Sequence, residues 1–272
     1  MGISALKRKT QIKDVLKSKK NVFVNDLVEK LEVSEVTIRR DLMQLEKEGY
    51  LLRTYGGAVK VENGISLQYF FQEKAKRQMQ EKLAIAIKAV SFIEEGDTIF
   101  LNSGTTTREL AKALRDRPDK LESITLVTSC VPVLWEVGSL ENLKLIVLGG
   151  IFRPKLLDLC GPQAERDIQQ YNLDKAFLGV DGISAEKGLS ATDSYTAHLE
   201  GAAINSSRKV FVLADYSKVG KNSLISYADV SQIDMLITDS RVSKDELVLL
   251  SNAGVEVEVV DIKKMKNLRH KT

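Results

Sequence analysis

The chain has 272 residues, which is long for one compact domain and suits two. With 43% hydrophobic residues and four prolines, its composition is that of a globular protein, which argues against long disorder. The sequence contains no apolar run near the roughly eighteen residues that a membrane helix needs. Its N-terminus, MGISALKRKT, is charged from the start, unlike a signal peptide. We therefore expect a cytoplasmic protein with no membrane partner.

The few cysteines and histidines argue against a disulfide or a metal centre. Cys130 and Cys160 lie far apart and do not form a CxxC motif, which predicts two buried or unremarkable thiols in a reducing cytoplasm. His198 and His270 alone are too few for a His-based metal site. We expect neither a metal ion nor a cofactor.

The charge is distributed unevenly along the chain. Residues 1–60 contain thirteen Lys and Arg against eight Asp and Glu, a net +5, whereas the remaining residues have a net −2. A small basic module joined to a larger, slightly acidic one indicates that only the first meets a polyanion. Solvated lysine faces are common, so charge alone is modest evidence.

Two short helices are predicted before residue 32. The first, over residues 4–18, has apolar side chains at near-helical spacing: Leu6, Ile12, Val15 and Leu16. The second, DLVEKL, has Asn25 as its predicted N-cap. A tight turn through Glu32 and Val33 then leads to a third helix, which completes a helix-turn-helix pattern.

The third helix, SEVTIRRDLMQLEKEG, is predicted to begin after the N-cap Ser34 and to stop at Gly49. Its core stripe is Ile38, Leu42 and Leu45. The opposite face presents Thr37, Arg40, Gln44 and Lys47, with Arg39 on the flank. Such a helix suits the major groove, because arginine pairs with guanine and glutamine with adenine. The alternative is a solvated polar face.

The segment YLLRTYGGAVKVE, directly after Gly49, predicts a two-stranded hairpin, or wing. Gly56 and Gly57 are expected to supply positive φ at its turn, and Arg53 to approach the DNA backbone. Base contacts are assigned to Thr37, Arg40 and Gln44. The complete predicted DNA-binding set is Ser34, Thr37, Arg39, Arg40, Gln44, Lys47, Arg53, Gly56 and Gly57.

Four regions are predicted along the chain. A winged helix-turn-helix occupies residues 1–60, a linker 61–73, an α/β effector-sensing and oligomerisation domain 74–262, and a basic tail 263–272. The second domain is expected to open with a long helix whose apolar side is Met79, Leu83, Ile87 and Val90.

Strand-like and helix-like segments then alternate, which predicts an α/β domain with a mainly parallel sheet. The strand-like runs are Thr98–Leu101, Ile124–Val127, Leu143–Leu148, Ala176–Val180, Val210–Ala214, Met235–Thr238 and Val255–Val260.

A phosphate-binding loop is predicted in IFLNSGTTTREL, where a strand is followed by a polar turn and a helix. Gly104 allows backbone amides to converge, the helix N-terminus favours an anion, and the hydroxyls of Ser103, Thr105 and Thr106 add donors. The alternative is a hydroxyl-capped helix with no ligand.

Other polar turns follow strands of the same domain, where ligands of open α/β sheets collect. Each is also consistent with an ordinary turn or cap. The effector residues predicted in these turns are Thr128, Ser129, Gly149, Gly150, Asp181, Gly182 and Lys218.

The segment VSEVTIRRDLMQLEKEGYLLRTYGGAV resembles the N-terminal signature of the DeoR family of bacterial transcriptional regulators. The segments GDTIFLNSGTT, LVTS, LGG, AFLGVDGI, VLADYSK and IDMLITD are similar to the sensor domain of that family, in the same order. The resemblance implies a repressor that binds double-stranded operator DNA as a homo-oligomer, dimer or tetramer. It also implies a sensor similar in fold to ribose-5-phosphate isomerase and, as effector, a sugar phosphate or another phosphorylated metabolite.

Carried over by position, the resemblance places the phosphate at Ser103–Thr106 and the sugar hydroxyls at Asp181 and Lys218. Thr128 and Gly150 would line the pocket. The sequence departs from the pattern at Ser184, where the isomerases have an acid, and at Thr196 and Glu200, where the family has a glutamate and a basic residue. Effector contacts in residues 190–204 are therefore left unassigned.

Three functions are compatible with these features. The first is a ligand-responsive repressor of a carbohydrate-metabolism operon that is not an enzyme. The second is a sugar-phosphate isomerase with a DNA-binding module, which the missing acid at Ser184 disfavours. The third is a constitutive DNA-binding oligomer without an effector, whose operator affinity no metabolite would change.

Overall fold

The computed structural model describes residues 4–19, 21–48, 50–54, 56–60, 65–121 and 123–262. The chain divides into two compact units, Met1–Gln72 and Glu73–Thr272. The predicted basic tail and residues 61–64 of the predicted linker lie outside the described ranges, and the rest of that linker is helical. None of the helices in these ranges is long and apolar enough to cross a membrane.

The N-terminal unit contains three helices and three short strands. In chain order these are α1 (Ala5–Lys19), β1 (Asn21–Phe23), α2 (Val24–Leu31), α3 (Glu35–Lys47), β2 (Leu51–Thr54) and β3 (Gly57–Lys60). Helix α4 (Ile65–Lys76) begins in this unit and ends in the next.

The core of this unit confirms the apolar stripe predicted on α3, since Ile38, Leu42 and Leu45 are at most 1% exposed. The predicted cap of α3 is also confirmed, because the Ser34 side chain accepts a hydrogen bond from the Thr37 amide. Glu32 ends α2 in the left-handed conformation (φ 51°), which makes the tight turn between the two helices.

Two details of the first helices were predicted wrongly. Leu6 is 75% exposed, and the buried positions of α1 are Arg8, Ile12 and Leu16. Asn25 does not cap α2, because the helix already begins at Val24. Phe23 occupies the cap position with extended backbone. The predicted end of α3 at Gly49 lies outside the described residues.

The wing is a three-stranded antiparallel sheet in the order β1-β3-β2, one strand more than predicted. Gly57 lies outside the positive-φ region, so the prediction that it supplies positive φ was wrong. Glycine is required there because a Cβ atom would lie 1.9 Å from the Val22 carbonyl oxygen on β1. At the neighbouring Gly56, by contrast, a Cβ would meet no atom within 4 Å.

The C-terminal unit alternates helices and strands from α5 (Met79–Val90) onward. Its first half contains β4 (Thr98–Leu101), α6 (Thr105–Arg115), α7 (Pro118–Leu121), β5 (Thr125–Thr128), α8 (Val131–Val137), β6 (Lys144–Val147), β7 (Ile151–Arg153), β8 (Asp158–Cys160) and α9 (Pro162–Ile168). Its second half contains β9 (Leu173–Gly179), β10 (Gly182–Ser184), β11 (Gly188–Ala191), α10 (Ser194–Asn205), β12 (Ser207–Leu213), β13 (Ile225–Ala228), a 3₁₀ turn (Val230–Gln232), β14 (Met235–Asp239), α11 (Lys244–Asn252) and β15 (Glu256–Val260).

Seven of these strands form one sheet in the order β15-β14-β12-β9-β4-β5-β6, and every neighbouring pair is parallel. Helices cover both faces: α5, α6 and α8 contribute to one hydrophobic cluster and α9, α10 and α11 to the other. The predicted α/β class and all seven predicted strands are confirmed. The β7–β8 hairpin and the antiparallel sheet β10-β11-β13 were not predicted.

The apolar side predicted for α5 was largely wrong. Met79 is 55% and Ile87 43% exposed, whereas Ala86 and Ala89 are fully buried. Ile85 is also fully buried, so the buried face of the helix is rotated relative to the predicted stripe. Val90 is the member of that stripe that is buried as predicted.

The strand order reverses direction between β4 and β9. From β4 the chain proceeds to β5 and β6 on one side, and from β9 it proceeds to β12, β14 and β15 on the other. In parallel sheets, ligands bind beyond the carboxyl ends of the strands that flank such a switch point. Here those ends are followed by Asn102–Gly104 and by Val180–Asp181.

Candidate functional sites

The first candidate site is the outer face of α3 in the N-terminal unit. Arg40 and Gln44 are exposed there, as the sequence predicts for residues that contact bases. The Gln44 amide donates to Glu48 (3.3 Å), and Arg39 pairs with Glu35 across one helical turn (2.6 Å). Both contacts are at the surface, where ion pairs are weak and easily exchanged for a phosphate or a base.

Two apolar side chains on this face were missed by the sequence reasoning. Val36 is 77% and Met43 42% exposed, and both lie within one or two turns of Arg40. Apolar groups in the major groove contact the thymine methyl. The signal was available in the sequence, because both residues lie off the Ile38–Leu42–Leu45 stripe.

Helix α3 is held onto α1 by a buried ion pair. The Arg8 guanidinium donates to both carboxylate oxygens of Asp41, and the two residues are 9% and 6% exposed. The hydrogen bond to Asp41 raises the pKa of Arg8, so the guanidinium stays charged. Since Asp41 follows Arg40 directly, this contact fixes the orientation of the exposed face.

The remaining predicted DNA-binding residues have structural partners or lie at the wing. Ser34 and Thr37 share a hydrogen bond between their hydroxyls (2.9 Å). Arg53 is half-buried on β2, and its amide donates to Glu46 (3.0 Å). The Lys47 side chain lies outside the described part of the chain.

The second candidate site is the loop between β4 and α6, at the switch point of the sheet. Gly104 is the N-cap of α6, with extended backbone and no side-chain hydrogen bond to the helix amides. The first amides of a helix have no partner within the helix and attract anions. The structure therefore brings Ser103, Gly104, Thr105 and Thr106 together at a helix N-terminus, as predicted.

Asn102 fixes this loop to the neighbouring strand. Its side chain donates to the Gly179 carbonyl (2.7 Å) and accepts from the Gly179 amide (2.9 Å), so it bridges the ends of β4 and β9. The Thr107 hydroxyl donates to the Asn102 carbonyl (2.8 Å) from within α6. Both are buried and position the loop.

A buried acid lies behind Asn102. Glu200 on α10 is 4% exposed and accepts a hydrogen bond from the Asn102 amide. Burial raises the pKa of Glu200 to about 8, and nearby Asp181 adds to the shift, so the carboxyl is mostly neutral at pH 7. The Tyr227 hydroxyl lies near the same carboxyl and has no hydrogen-bond partner of its own among the described residues. Sequence reasoning noticed Glu200 only as a departure from the family pattern.

Asp181 follows β9 and is surrounded by donors. One carboxylate oxygen accepts from the Thr192 amide (3.2 Å) and hydroxyl (2.9 Å), and the other pairs with Lys74 Nζ (3.2 Å). Burial would raise the pKa of Asp181, but Lys74, Thr192 and Lys218 together lower it. Lys74 is the first residue of the predicted α/β domain, directly after the predicted linker, and was not predicted as a site residue.

Lys218, in the turn after β12, faces the same group of charges. Burial and the positive charge of Lys74 lower its pKa, while Asp181 and Asp215 oppose the shift. Asp215 is 2% exposed and accepts from the Ser217 amide (3.0 Å). The carboxyl ends of β9 and β12 thus present lysines around two carboxylates.

Other predicted effector residues have structural contacts. The buried Thr128 hydroxyl donates to the Leu101 carbonyl (2.7 Å), and Ser129 is 1% exposed. Gly150 has φ 135° and no room for a Cβ beside the Cys160 carbonyl, while a Cβ at Gly182 would lie 2.4 Å from the Lys221 carbonyl oxygen. Effector contact at these positions stays a prediction, as it does at the exposed Gly149.

Arg153 is a further residue that sequence reasoning missed. From β7 it pairs with Asp158 and Asp193 (2.5 Å each), and it donates to the Thr196 hydroxyl (2.9 Å). It therefore ties the β7–β8 hairpin to the start of α10, and Leu156 in that hairpin accepts from the Ser103 hydroxyl (3.5 Å). Cys130 and Cys160 are buried free thiols, which confirms their predicted burial.

A winged helix with an exposed basic recognition helix, joined to an α/β unit with a helix N-terminus at its switch point, is the architecture of a two-part DNA-binding regulator. Comparison with known families agrees. The DeoR-like helix-turn-helix domain matches residues 8–63, and the DeoR C terminal sensor domain matches residues 77–240.

Relatives match over nearly the whole chain. The putative aga operon transcriptional repressor of Escherichia coli O157:H7 is 35% identical, over 93% of each chain. The lactose phosphotransferase system repressor of Staphylococcus epidermidis is 33% identical, over 86% of this chain and 91% of that protein. This chain belongs to the DeoR family, and it is a DNA-binding transcriptional regulator.

Among solved structures, a ribose 5-phosphate isomerase from Plasmodium falciparum is similar with a TM-score of 0.38 and 19% identity. The alignment covers 50% of this chain and about half (51%) of the isomerase chain. This likeness is too distant to support a statement about activity.

Proposed function

We propose that the protein represses a carbohydrate-metabolism operon and that a phosphorylated sugar or a related metabolite controls its affinity for operator DNA. The observation that supports the effector is the Ser103–Thr106 loop, because it places a helix N-terminus at the switch point of a parallel sheet. The relatives named as a putative repressor of the aga operon and a repressor of the lactose phosphotransferase system support the class of target.

The loop suits a phosphate dianion. The amides of the first turn of α6 offer several donors, the helix dipole favours negative charge, and the flanking hydroxyls can complete the set. Lys218 adds positive charge at an adjacent strand end. Asp181 supplies an acceptor for sugar hydroxyls, which a site for inorganic phosphate alone would not need.

We propose that this site binds without catalysing a reaction. Isomerisation of a sugar phosphate requires a carboxylate base and a supporting acid. The position of the second acid is occupied by Ser184. Its hydroxyl donates a hydrogen bond to the Asn222 side-chain oxygen (2.7 Å) and accepts one from the Lys187 amide (3.0 Å). An assay for interconversion of aldose and ketose phosphates is expected to detect no turnover, and clear turnover would overturn this proposal.

We also propose that the protein acts in the cytoplasm as a homo-oligomer. A repressor must reach the chromosome, and a winged helix reads one half-site, so a two-fold operator needs two copies. Light scattering of the full-length protein is expected to give a dimer or a tetramer, and a monomer that binds its operator tightly would contradict this.

The effector site is tested by calorimetric binding of a panel of aldose and ketose phosphates, with the unphosphorylated sugars and inorganic phosphate as controls. The substitution Thr105→Ala removes one donor to the phosphate, and a hydrogen bond to a charged group contributes roughly 1.5–3 kcal/mol, so Kd should rise at least about tenfold. The matched control is Thr125→Ala, at the opposite end of the neighbouring strand β5. Equal affinity in the two variants would place the phosphate elsewhere.

A further inference from the structure

The last turn of α4 lies against the predicted effector site. Lys74, on that turn, pairs with the Asp181 carboxylate oxygen that Thr192 does not use. The side chains of Lys74 and Asp181 are 44% and 21% exposed. The ion pair is therefore open enough for a ligand hydroxyl to replace the ammonium group.

A second lysine holds the backbone of the same turn. The Lys82 ammonium, 4% exposed on α5, donates to the carbonyls of Lys74 (2.6 Å) and Arg77 (2.7 Å). It also lies within electrostatic reach of Asp215 and Lys218 in the turn after β12. The end of α4 is thus held by groups that face the carboxyl ends of both β9 and β12.

Helix α4 is also the segment through which the chain passes from one unit to the other. It runs from Ile65 to Lys76, and the boundary between the units falls at Gln72 and Glu73. Within this continuous helix, one residue, Glu73, lies between Lys74 and the last residue of the N-terminal unit. Backbone hydrogen bonds between residues four apart join this last turn to the preceding turn of the same helix.

We propose that Lys74 couples the effector site to DNA binding: a sugar hydroxyl that occupies Asp181 displaces Lys74 and changes how the end of α4 is held. This inference rests on the effector site proposed above. A ligand shifts DNA affinity only if it interacts differently with two states of the protein, and the exchange at Asp181 supplies such a difference. Lys74 is a positioning residue in this scheme, and the phosphate loop supplies the affinity.

The first test needs no effector. Operator duplexes are obtained by in vitro selection with the full-length protein, and Kd is measured by fluorescence anisotropy. Lys74→Gln and Asp181→Asn should each change the operator Kd by at least about threefold, and the double variant should change it no further, because both remove one contact. Lys76→Gln is the matched control, since Lys76 is 70% exposed on the same turn and pairs with Glu73. Additive shifts, or a Lys74 variant that behaves like the Lys76 variant, would overturn the proposal.

The second test uses a sugar phosphate that binds the wild type in calorimetry. Coupling between sites amounts to about 5–150-fold, so the wild-type operator Kd should change by about tenfold on saturation. Lys74→Gln should bind the same compound within about threefold and lose most of that response, and Lys74→Arg should restore it. A full response in Lys74→Gln would refute the coupling role. If no compound binds the wild type, the proposed effector class fails, and the first test still decides the role of Lys74.

Discussion

Replacement of Glu200 by glutamine tests the buried acid behind the effector loop. Glutamine has nearly the same shape, and its amide oxygen can accept the hydrogen bond from Asn102, but it cannot ionise. Because Glu200 is buried on α10, the substitution changes the charge chemistry of the site without opening a cavity.

The magnitude follows from the pKa of Glu200, which is about 8 in the folded protein against an ordinary value of 4.5. Between these two values the folded state keeps a proton that the unfolded state has lost, so the free energy of unfolding falls as pH rises. The slope is about 1.4 kcal/mol for each pH unit, and the loss ends above the folded pKa. Between about pH 5.5 and pH 7.5 the wild type therefore loses about 3 kcal/mol through this group. The Glu200→Gln variant does not.

Urea unfolding measures this directly, because the single tryptophan, Trp135, lies on α8 and reports on the C-terminal unit. The difference between the free energies of unfolding of Glu200→Gln and wild type should grow by about 3 kcal/mol over that pH range. Glu95→Gln, at an exposed position, is the control and should run parallel to the wild type. Parallel curves for Glu200→Gln as well would mean that Glu200 is ionised in the folded protein, and the reasoning would fail.

Two predictions concern the DNA-binding unit. Arg40→Ala should reduce the preference for selected over random DNA by about 1–3 kcal/mol. Arg53→Ala should weaken binding to both DNAs equally and reduce the slope of log K against log salt concentration by about 1. Anisotropy titrations at several salt concentrations measure both effects. Equal losses on both DNAs for Arg40→Ala would make it a phosphate contact. Gly57→Ala should destabilise the wing by about 3 kcal/mol, because the new methyl group overlaps the Val22 carbonyl at 1.9 Å. At Gly56 an added methyl group meets open space, so Gly56→Ala should lower the free energy of unfolding by less than about 1 kcal/mol. Thermal unfolding of both variants measures this, and similar losses of stability in the two would contradict the assigned overlap.

Much of the architecture could be predicted because the signals are local. Strands buried on both faces of a parallel sheet are continuous apolar runs, so Val210–Ala214 was recognised within a few residues of the observed β12. The recognition helix was equally clear, because its cap Ser34 and its stripe of three apolar residues lie within four turns of one helix.

The errors arise where tertiary packing overrides local pattern. Hydrophobicity favoured Leu6 over Arg8 as a buried residue. In the fold, the carboxylate of Asp41, distant in sequence, pairs with the buried guanidinium and compensates its charge. On α5, hydrophobicity favoured Met79 and Ile87, whereas packing in the fold buries Ile85, Ala86 and Ala89. Which side chains of a helix are buried depends on the surface against which the helix packs, and that surface is formed by residues distant in sequence.

The candidate effector site was predicted only in part for the same reason. The loop at Ser103–Thr106 has a local signature, and the structure places it at a helix N-terminus. Lys74 and Glu200 have none, since Lys74 reaches Asp181 across 107 positions of sequence and Glu200 reaches Asn102 across 98. The departure at Glu200 was visible, but its burial and raised pKa required the fold.

The central claim is that a phosphorylated metabolite at the Ser103–Thr106 loop controls DNA binding. Operator affinity of the full-length wild type and of Thr105→Ala, with and without a sugar phosphate that binds the wild type, tests it most directly. We predict that the compound changes the wild-type operator Kd by about 5–150-fold and that Thr105→Ala requires at least about tenfold more compound for the same change. An unchanged wild-type Kd at saturation, or an undiminished response in Thr105→Ala, would contradict the account.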